Sequence, residues 1–120
     1  SKTFFADRDK LYKEVEEFEG LKVGLKVLNL MEMEVVRVTK IFSNGFVLYT
    51  SLDSRNIKKT NLHRRSISLP VTHYQGFRVN DIVDAFFGKG LVKQIFDNGY
   101  AYLFFKKASY QLVHTRDLTK

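Results

Sequence analysis

The pattern of apolar and polar positions changes once along the chain, near residue 20. Before that point, the segment from Asp7 to Phe18 carries Leu11 and Val15, so that apolar residues recur at i, i+4 and i+7. This spacing places the three apolar side chains on one face of a helix, with Asp7 as the N-cap and a glycine as the stop. The pattern therefore predicts an N-terminal helical arm over residues 1–20.

Beyond residue 20, apolar and polar positions alternate in short runs that are rich in β-branched and aromatic residues. Alternation with a period of two is typical of strands that bury one face. Turn-forming dipeptides and tripeptides that contain Gly, Asn or Asp separate the runs. This part of the chain therefore predicts an antiparallel, curled sheet of short strands.

Two of these runs are nearly identical. The text "IFSNGFVLY" begins at Ile41 and "IFDNGYAYL" begins at Ile95, and Asn-Gly tolerates positive φ at both turn positions, which predicts two tight hairpins. The match extends outward: "FEGLKVGLKV" lies over "YQGFRVNDIV", and "KKTNL" at Lys58 lies over "HTRDL" at His114. The chain therefore contains a duplicated unit of about fifty residues.

Two units of this size need a compact way to bury their strands. Five short strands that close into a small barrel leave few exposed edges. We therefore expect a mainly β chain with two tandem SH3-like barrels, the first over residues 21–73 with its connector and the second over residues 74–120. The connector "HRRSISLPVTHYQG" contains the one proline of the chain, Pro70.

The amino-acid composition indicates the net charge of the chain and its expected cellular compartment. Twenty Lys and Arg face thirteen Asp and Glu, a formal net charge of +7, which favours anionic partners. The chain has no Cys, so a disulfide or a thiolate metal site is impossible, and a reducing, intracellular location is expected. No apolar run is long enough to span a membrane, and an initial Ser suggests a fragment of a longer protein.

The first unit resembles a known family. Its "LKVGLKVLNLMEMEVVRVTKI" and the later "SISLPVTHYQG" are similar to the malignant brain tumour (MBT) repeat, and the second unit, from "FRVNDIVDAFF" onward, looks like a Tudor or Agenet domain. All of these belong to the Royal superfamily of small barrels. The resemblance implies a nuclear reader module of a chromatin or ribonucleoprotein regulator, with a histone tail or another methylated peptide as its partner.

The resemblance also implies which residues would bind a methylated lysine or arginine. In the first unit the family's pocket acid falls on Asn29 and its aromatics fall near Thr50 and Asp53, so no cage is expected there. In the second unit two of the family's aromatics fall on Phe87 and Phe104. The two remaining ones fall near Leu91 and Lys107, which depart from the family's pattern, but neighbouring residues could substitute for them. The candidates are Asp84, Phe86, Phe87, Phe104, Phe105 and Tyr110. The alternative is that these rings fill the core, because the chain has eleven Phe and no Trp.

A basic stretch supports a different hypothesis. The segment "RNIKKTNLHRR" over residues 55–65 contains five positive charges and no acid, and further lysines follow. Such side chains suit phosphate contacts with DNA or RNA. The candidates are Arg55, Lys58, Lys59, Arg64, Arg65, Lys89, Lys106 and Lys107. A protein–protein scaffold is the third hypothesis, since a degenerate unit can bury an edge against another chain.

The sequence does not predict an enzyme. His63, His73 and His114 are scattered, and no pair of them has metal-ligand spacing. No glycine-rich loop precedes a helix to bind phosphate. We therefore expect no catalytic residue, no metal and no cofactor.

Overall fold

The computed structural model describes residues 12–52, 59–106 and 109–120. The chain divides into two compact units, one that ends at Ile67 and one that runs from Ser68 to Lys120. Both units are built mainly from β-strands. The second unit thus begins slightly earlier than residue 74, where the sequence analysis places the start of the second barrel.

The described residues of the first unit form eight strands, and the last of these ends one residue beyond the unit. They are β1 (Glu14–Val15), β2 (Glu17–Phe18), β3 (Leu21–Lys22), β4 (Lys26–Asn29), β5 (Glu34–Phe42), β6 (Phe46–Ser51), β7 (Lys59–His63) and β8 (Ile67–Ser68). The main sheet has the order β7-β6-β5-β4-β8, and β1 also pairs with β5, while β2 and β3 form a separate hairpin. The sheet therefore forms a half-barrel around the long strand β5.

The second unit repeats this plan. Its strands are β9 (Pro70–Val71), β10 (His73–Tyr74), β11 (Phe77–Arg78), β12 (Ile82–Ala85), β13 (Gly88–Phe96), β14 (Tyr100–Phe105) and β15 (Ser109–His114). The main sheet has the order β12-β13-β14-β15, with β9 also on β13 and β10 paired with β11. A 3-10 turn follows the last long strand of each unit, at Arg64–Ser66 and at Thr115–Asp117.

The central strands show that the sequence repeat is also a repeat of the structure. β5 and β13 are both nine residues long. Each has one irregularity in its pairing with the next strand, between Val38 and Lys40 in β5 and between Val92 and Gln94 in β13. Such bulges bend a strand and increase its twist. The two half-barrels therefore bend at equivalent positions.

The buried residues occupy equivalent positions as well. The core of the second unit is formed by Val83, Val92, Ile95, Ala101, Leu103 and Leu118. At the corresponding strand positions the first unit buries Val27, Val38, Ile41, Val47, Tyr49 and Ile67. Each unit thus has its own apolar interior, which is what the predicted alternation of apolar and polar residues requires.

The predicted N-terminal α-helix is wrong, and the described residues contain no α-helix. Val15 pairs with Ile41 in the β1–β5 ladder, and Phe18 pairs with Leu21 across the β2–β3 hairpin. The chain reverses at Glu19 and Gly20, which have φ of 49° and 83°. Val15 and Phe18 thus lie on two short strands, and Leu11 and the predicted N-cap, Asp7, lie outside the described residues.

None of the described segments forms a helix long and apolar enough to cross a membrane.

Both Asn-Gly hairpins are confirmed, with one difference in their backbone. Asn44-Gly45 joins β5 to β6, and Asn98-Gly99 joins β13 to β14. Only the glycines take positive φ, 90° and 91°, and their N–H groups donate to the carbonyls of Phe42 and Phe96, both at 2.9 Å. This is a type I turn followed by a left-handed residue, rather than the turn with two positive φ values that Asn-Gly favours.

A histidine holds each Asn-Gly turn to the 3-10 turn of its unit. Nε2 of His63 lies 2.9 Å from the carbonyl oxygen of Asn44, and Nδ1 accepts the N–H of Arg65 at 3.1 Å. The ring of Phe46 meets the imidazole edge-on, with centroids 4.9 Å apart. Because Nδ1 accepts, the proton of the neutral ring must be on Nε2, where it donates to the turn.

The second unit has the same arrangement. Nε2 of His114 lies 3.0 Å from the carbonyl oxygen of Asn98, Nδ1 accepts the N–H of Arg116 at 3.1 Å, and the ring of Tyr100 lies edge-on at 4.9 Å. A Cβ at Gly99 would lie 2.7 Å from Nε2 of His114. We call this arrangement, His63 or His114 with the Asn-Gly turn of its unit, the histidine clamp.

Replacing His114 with Ala should destabilise the second unit by about 1–2 kcal/mol, because two hydrogen bonds and an aromatic contact are lost. Urea denaturation followed by circular dichroism measures this. The matched control is His73→Ala, because His73 is exposed on β10. The control should change the free energy of unfolding by less than about 0.5 kcal/mol. Equal effects of the two substitutions would contradict a structural role of the clamp.

Candidate functional site

The most exposed aromatic residues of the described chain lie at one end of the second unit. Phe86 and Phe87 form the turn that joins β12 to β13, and they are 99% and 51% exposed. The almost fully exposed ring of Phe86 gains almost no burial free energy from folding. The turn therefore presents apolar surface to solvent at a position that the core does not require.

Phe105, the last residue of β14, completes an aromatic pair beside this turn. Its ring centroid lies 5.0 Å from that of Phe87, with the planes tilted by 49°. A Cβ at Gly90 would approach the Phe105 ring to 2.8 Å, so the missing side chain of Gly90 makes room for the ring. Phe105 also packs against the core of the unit, which fixes its position.

Two lysines lie beside the aromatic pair. An open groove of about 530 Å³ is lined by Phe87, Gly88, Lys89, Phe105, Lys106, Ser109 and Gln111. The ammonium of Lys89 lies 2.7 Å from Oδ1 of Asp84, in an ion pair whose side chains are both well exposed to solvent. Exposed pairs of this kind contribute little stability, so a ligand anion can compete for the lysine. We call this surface, with Phe86, the aromatic–lysine tip.

The tip brings together only some of the residues that the sequence proposed for a methyl-ligand cage. Asp84, Phe86, Phe87 and Phe105 lie at it, but Phe104 points to the other face of β14 because successive side chains alternate. There Phe104 contacts Tyr110, with centroids 5.1 Å apart, and Tyr110 stacks on Tyr102 at 5.0 Å. The ring contacts therefore join Phe87 to Phe105 and Phe104 to Tyr110, in two separate clusters.

The predicted basic segment is only partly described, since Arg55 and Lys58, like Lys107, lie outside the described residues. Arg64 has a structural role: its Nε donates to the carbonyl oxygen of Glu19 and its Nη1 to that of Ile67, both at 3.0 Å. Lys59 is half-buried in β7, and Arg65 is exposed. The described part of the segment thus offers fewer available charges than its sequence suggests.

Ser109 and Gln111 line the groove but were not identified from the sequence. Ser109 pairs with Phe105, and Gln111 pairs with Leu103, across the β14–β15 ladder. Aligning these two strands as a hairpin would have placed both residues beside the aromatic pair. Their polar side chains give the groove hydrogen-bonding groups that have no charge.

At the equivalent end of the first unit, polar side chains occupy the interior positions. Asn29 is buried, and its Oδ1 accepts the N–H of Met31 at 3.0 Å. Tyr49, 5% exposed, lies at the position of Leu103. Thr50 is half-buried, and Asp53 lies outside the described residues. Asn29, which falls on the family's pocket acid, therefore serves here to hold a turn.

Burial raises the pKa of the Tyr49 phenol above its usual 10.0, and the negative charges of Glu32 and Glu34 raise it further, while a hydrogen bond with Asn29 acts in the opposite direction. The phenol therefore stays neutral and can fill the end of the half-barrel without an unpaired buried charge.

Among the described residues, no three His, Asp or Glu side chains lie close enough together to hold a metal ion. The aromatic–lysine tip offers flat apolar rings beside cationic groups. Such a surface can stack on a planar group and pair with a neighbouring anion.

Comparisons with protein-family models, with curated proteins and with solved structures find no match to this chain. The resemblance to the Royal superfamily therefore stays a prediction.

The raised pKa of Tyr49 predicts a loss of stability in alkaline solution. Above pH 10.0 the phenol ionises in the unfolded chain while it stays protonated in the folded one, so a rise in pH through this range favours unfolding. The Tyr49→Phe variant lacks this proton. The free energy of unfolding of the wild type should therefore fall more steeply than that of Tyr49→Phe as the pH rises through 10.0. Parallel curves from urea denaturation would contradict the proposed burial of the phenol.

Proposed function

We propose that this chain is a non-catalytic binding module and that the aromatic–lysine tip binds single-stranded nucleic acid. The observation that supports the proposal is the presence of the exposed rings of Phe86 and Phe87 beside Lys89 and Lys106 at one end of the second unit. Bases of every kind stack on such rings, and lysines pair with the phosphates between them. In a duplex the faces of the bases are already stacked on one another, so a single strand is the nucleic acid that can bind these rings.

Charge favours a nucleic acid over a methylated side chain at this site. Two ammonium groups line the groove and would repel a methylated lysine or arginine, which keeps its positive charge. The carboxylate of Asp84, which could have attracted such a ligand, is paired with Lys89 at 2.7 Å. A phosphate, by contrast, gains from Lys106 directly and from Lys89 when it displaces the Asp84 carboxylate. The net charge of +7 also attracts nucleic acid from a distance.

One observation supports methylated peptides as a second candidate. The rings of Phe87 and Phe105 both line the groove, with their planes tilted by 49° at a centroid distance of 5.0 Å. A weakly hydrated cation is attracted to the face of an aromatic ring. The second candidate therefore shares the rings with the first but requires the lysines to move aside.

The Phe87→Ala variant should weaken the binding of oligothymidylate and oligouridylate by about 5-fold to 100-fold, as expected for the loss of one stacked base. Fluorescence anisotropy with labelled oligonucleotides measures this. The matched control is Ile82→Ala, which removes an equally exposed apolar side chain from the far end of β12. The control should leave affinity unchanged. Equal affinities of Phe87→Ala and wild type would refute stacking at the tip.

The Lys106→Ala variant should reduce the salt dependence of the same binding. Each phosphate contact to a single strand contributes roughly 0.7 to the log–log slope of affinity against salt concentration, and this variant should lose about one contact. Affinity measured over a series of salt concentrations gives the slope. An unchanged slope, or tighter binding of a trimethyl-lysine peptide than of either oligonucleotide, would favour the second candidate.

A further inference from the structure

The first unit carries a different surface on the turn that corresponds to Phe86–Phe87. This turn joins β4 to β5 and exposes Leu30, Met31 and Met33, which are 37%, 69% and 40% accessible. Its backbone is fixed: the N–H of Leu30 donates to the carbonyl of Ser66 at 2.9 Å, and that of Met31 donates to Oδ1 of Asn29. The turn is therefore an ordered surface of apolar side chains.

Carboxylates accompany these apolar side chains. Glu32 is exposed between the two methionines, and Glu34 begins β5. Leu52, 38% exposed, follows Ser51, which pairs with Val36, so Leu52 lies at the same end of the sheet. We call this surface the Met–Glu tip: Leu30, Met31, Glu32, Met33, Glu34 and Leu52.

We propose that the Met–Glu tip binds a cationic, amphipathic segment of a partner protein. Apolar residues of the segment would pack on the methionines, whose flexible and polarizable side chains adapt to different partners. Lysine or arginine residues would pair with Glu32 and Glu34, and their aliphatic stems would cover more of the apolar surface. The proposal goes beyond nucleic-acid binding and involves no residue of the aromatic–lysine tip.

Charge complementarity decides the class of the occupant. The phosphates of a nucleic acid or of an anionic membrane would be repelled by the two carboxylates. A purely apolar partner that covered the two methionines would also cover the carboxylate of Glu32, which lies between them. Covering this charge without a cationic partner is unfavourable. The corresponding ends of the two units thus differ in the sign of their net charge, and we assign them opposite classes of ligand.

The test is a titration of the full ¹⁵N-labelled chain with a short peptide of alternating lysine and leucine. Amide resonances of residues 30–34 and of Leu52 should shift and saturate, while a peptide of alternating glutamate and leucine should leave them unchanged. The Glu32→Lys variant should weaken the binding of the lysine–leucine peptide by about fivefold, because one exposed ion pair is replaced by repulsion.

The matched control is Glu16→Lys, which makes the same charge change at an exposed position of the first unit outside the tip. It should weaken binding by less than Glu32→Lys does. A third variant, Met31→Ser, tests the apolar contact without a charge change and should also weaken binding. The Phe87→Ala variant should leave peptide binding intact, so that failure of this proposal is distinguishable from failure of nucleic-acid binding.

Three results would overturn the proposal. The first is equal weakening by Glu16→Lys and Glu32→Lys, which would mean that only net charge matters. The second is equal binding of the two peptides, which would mean non-specific apolar adhesion. The third is shifts at residues 30–34 caused by an oligonucleotide and not by the lysine–leucine peptide.

Discussion

The histidine clamp is the constraint on which each half-barrel depends. In both units an imidazole ties the Asn-Gly turn to the 3-10 turn, and the backbone adds a bond beside it: the N–H of Arg64 donates to the carbonyl of Gly45 at 2.8 Å, and that of Thr115 to the carbonyl of Gly99 at 2.9 Å. The clamp thus connects the middle of the sheet to the segment that follows the last long strand. Further along, the same segment is held by the pairing of β8 with β4 in the first unit and by two backbone hydrogen bonds between Asp84 and Thr119 in the second.

The position of the clamp explains how two copies of one fold can present different surfaces. The Asn-Gly turn lies at the end of the nine-residue strand β5 or β13, and the exposed turn lies at its beginning. The side chains of the exposed turn contribute little to the core, so they can vary at little cost in stability. In the first unit those side chains are methionines and carboxylates, and in the second they are phenylalanines and lysines.

The duplication and the strands were predictable, because the same alternation of apolar and polar residues occurs in both copies of the repeat. The helix was predicted wrongly because three apolar residues fit a helical spacing by chance. The repeat could have corrected it: Val15, Phe18 and Gly20 correspond to Val71, Tyr74 and Gly76, where a proline precedes the copy. The clamp was missed because the sequence alignment places "HTRDL" over "KKTNL". In the structure, His114 occupies in the second unit the position that His63 occupies in the first. The cage pair of Phe87 and Phe104 could not be judged, because sequence alone did not say which face of β14 is buried.

The clamp can be tested most directly by nitrogen NMR of the histidine rings at neutral pH. In the neutral rings of His63 and His114 the proton should be on Nε2, since Nδ1 accepts a backbone N–H in each unit. His73, which is exposed on β10, is the reference ring for this comparison. Averaged shifts, or a proton on Nδ1, at His63 and His114 would contradict the clamp and the equivalence of the two units.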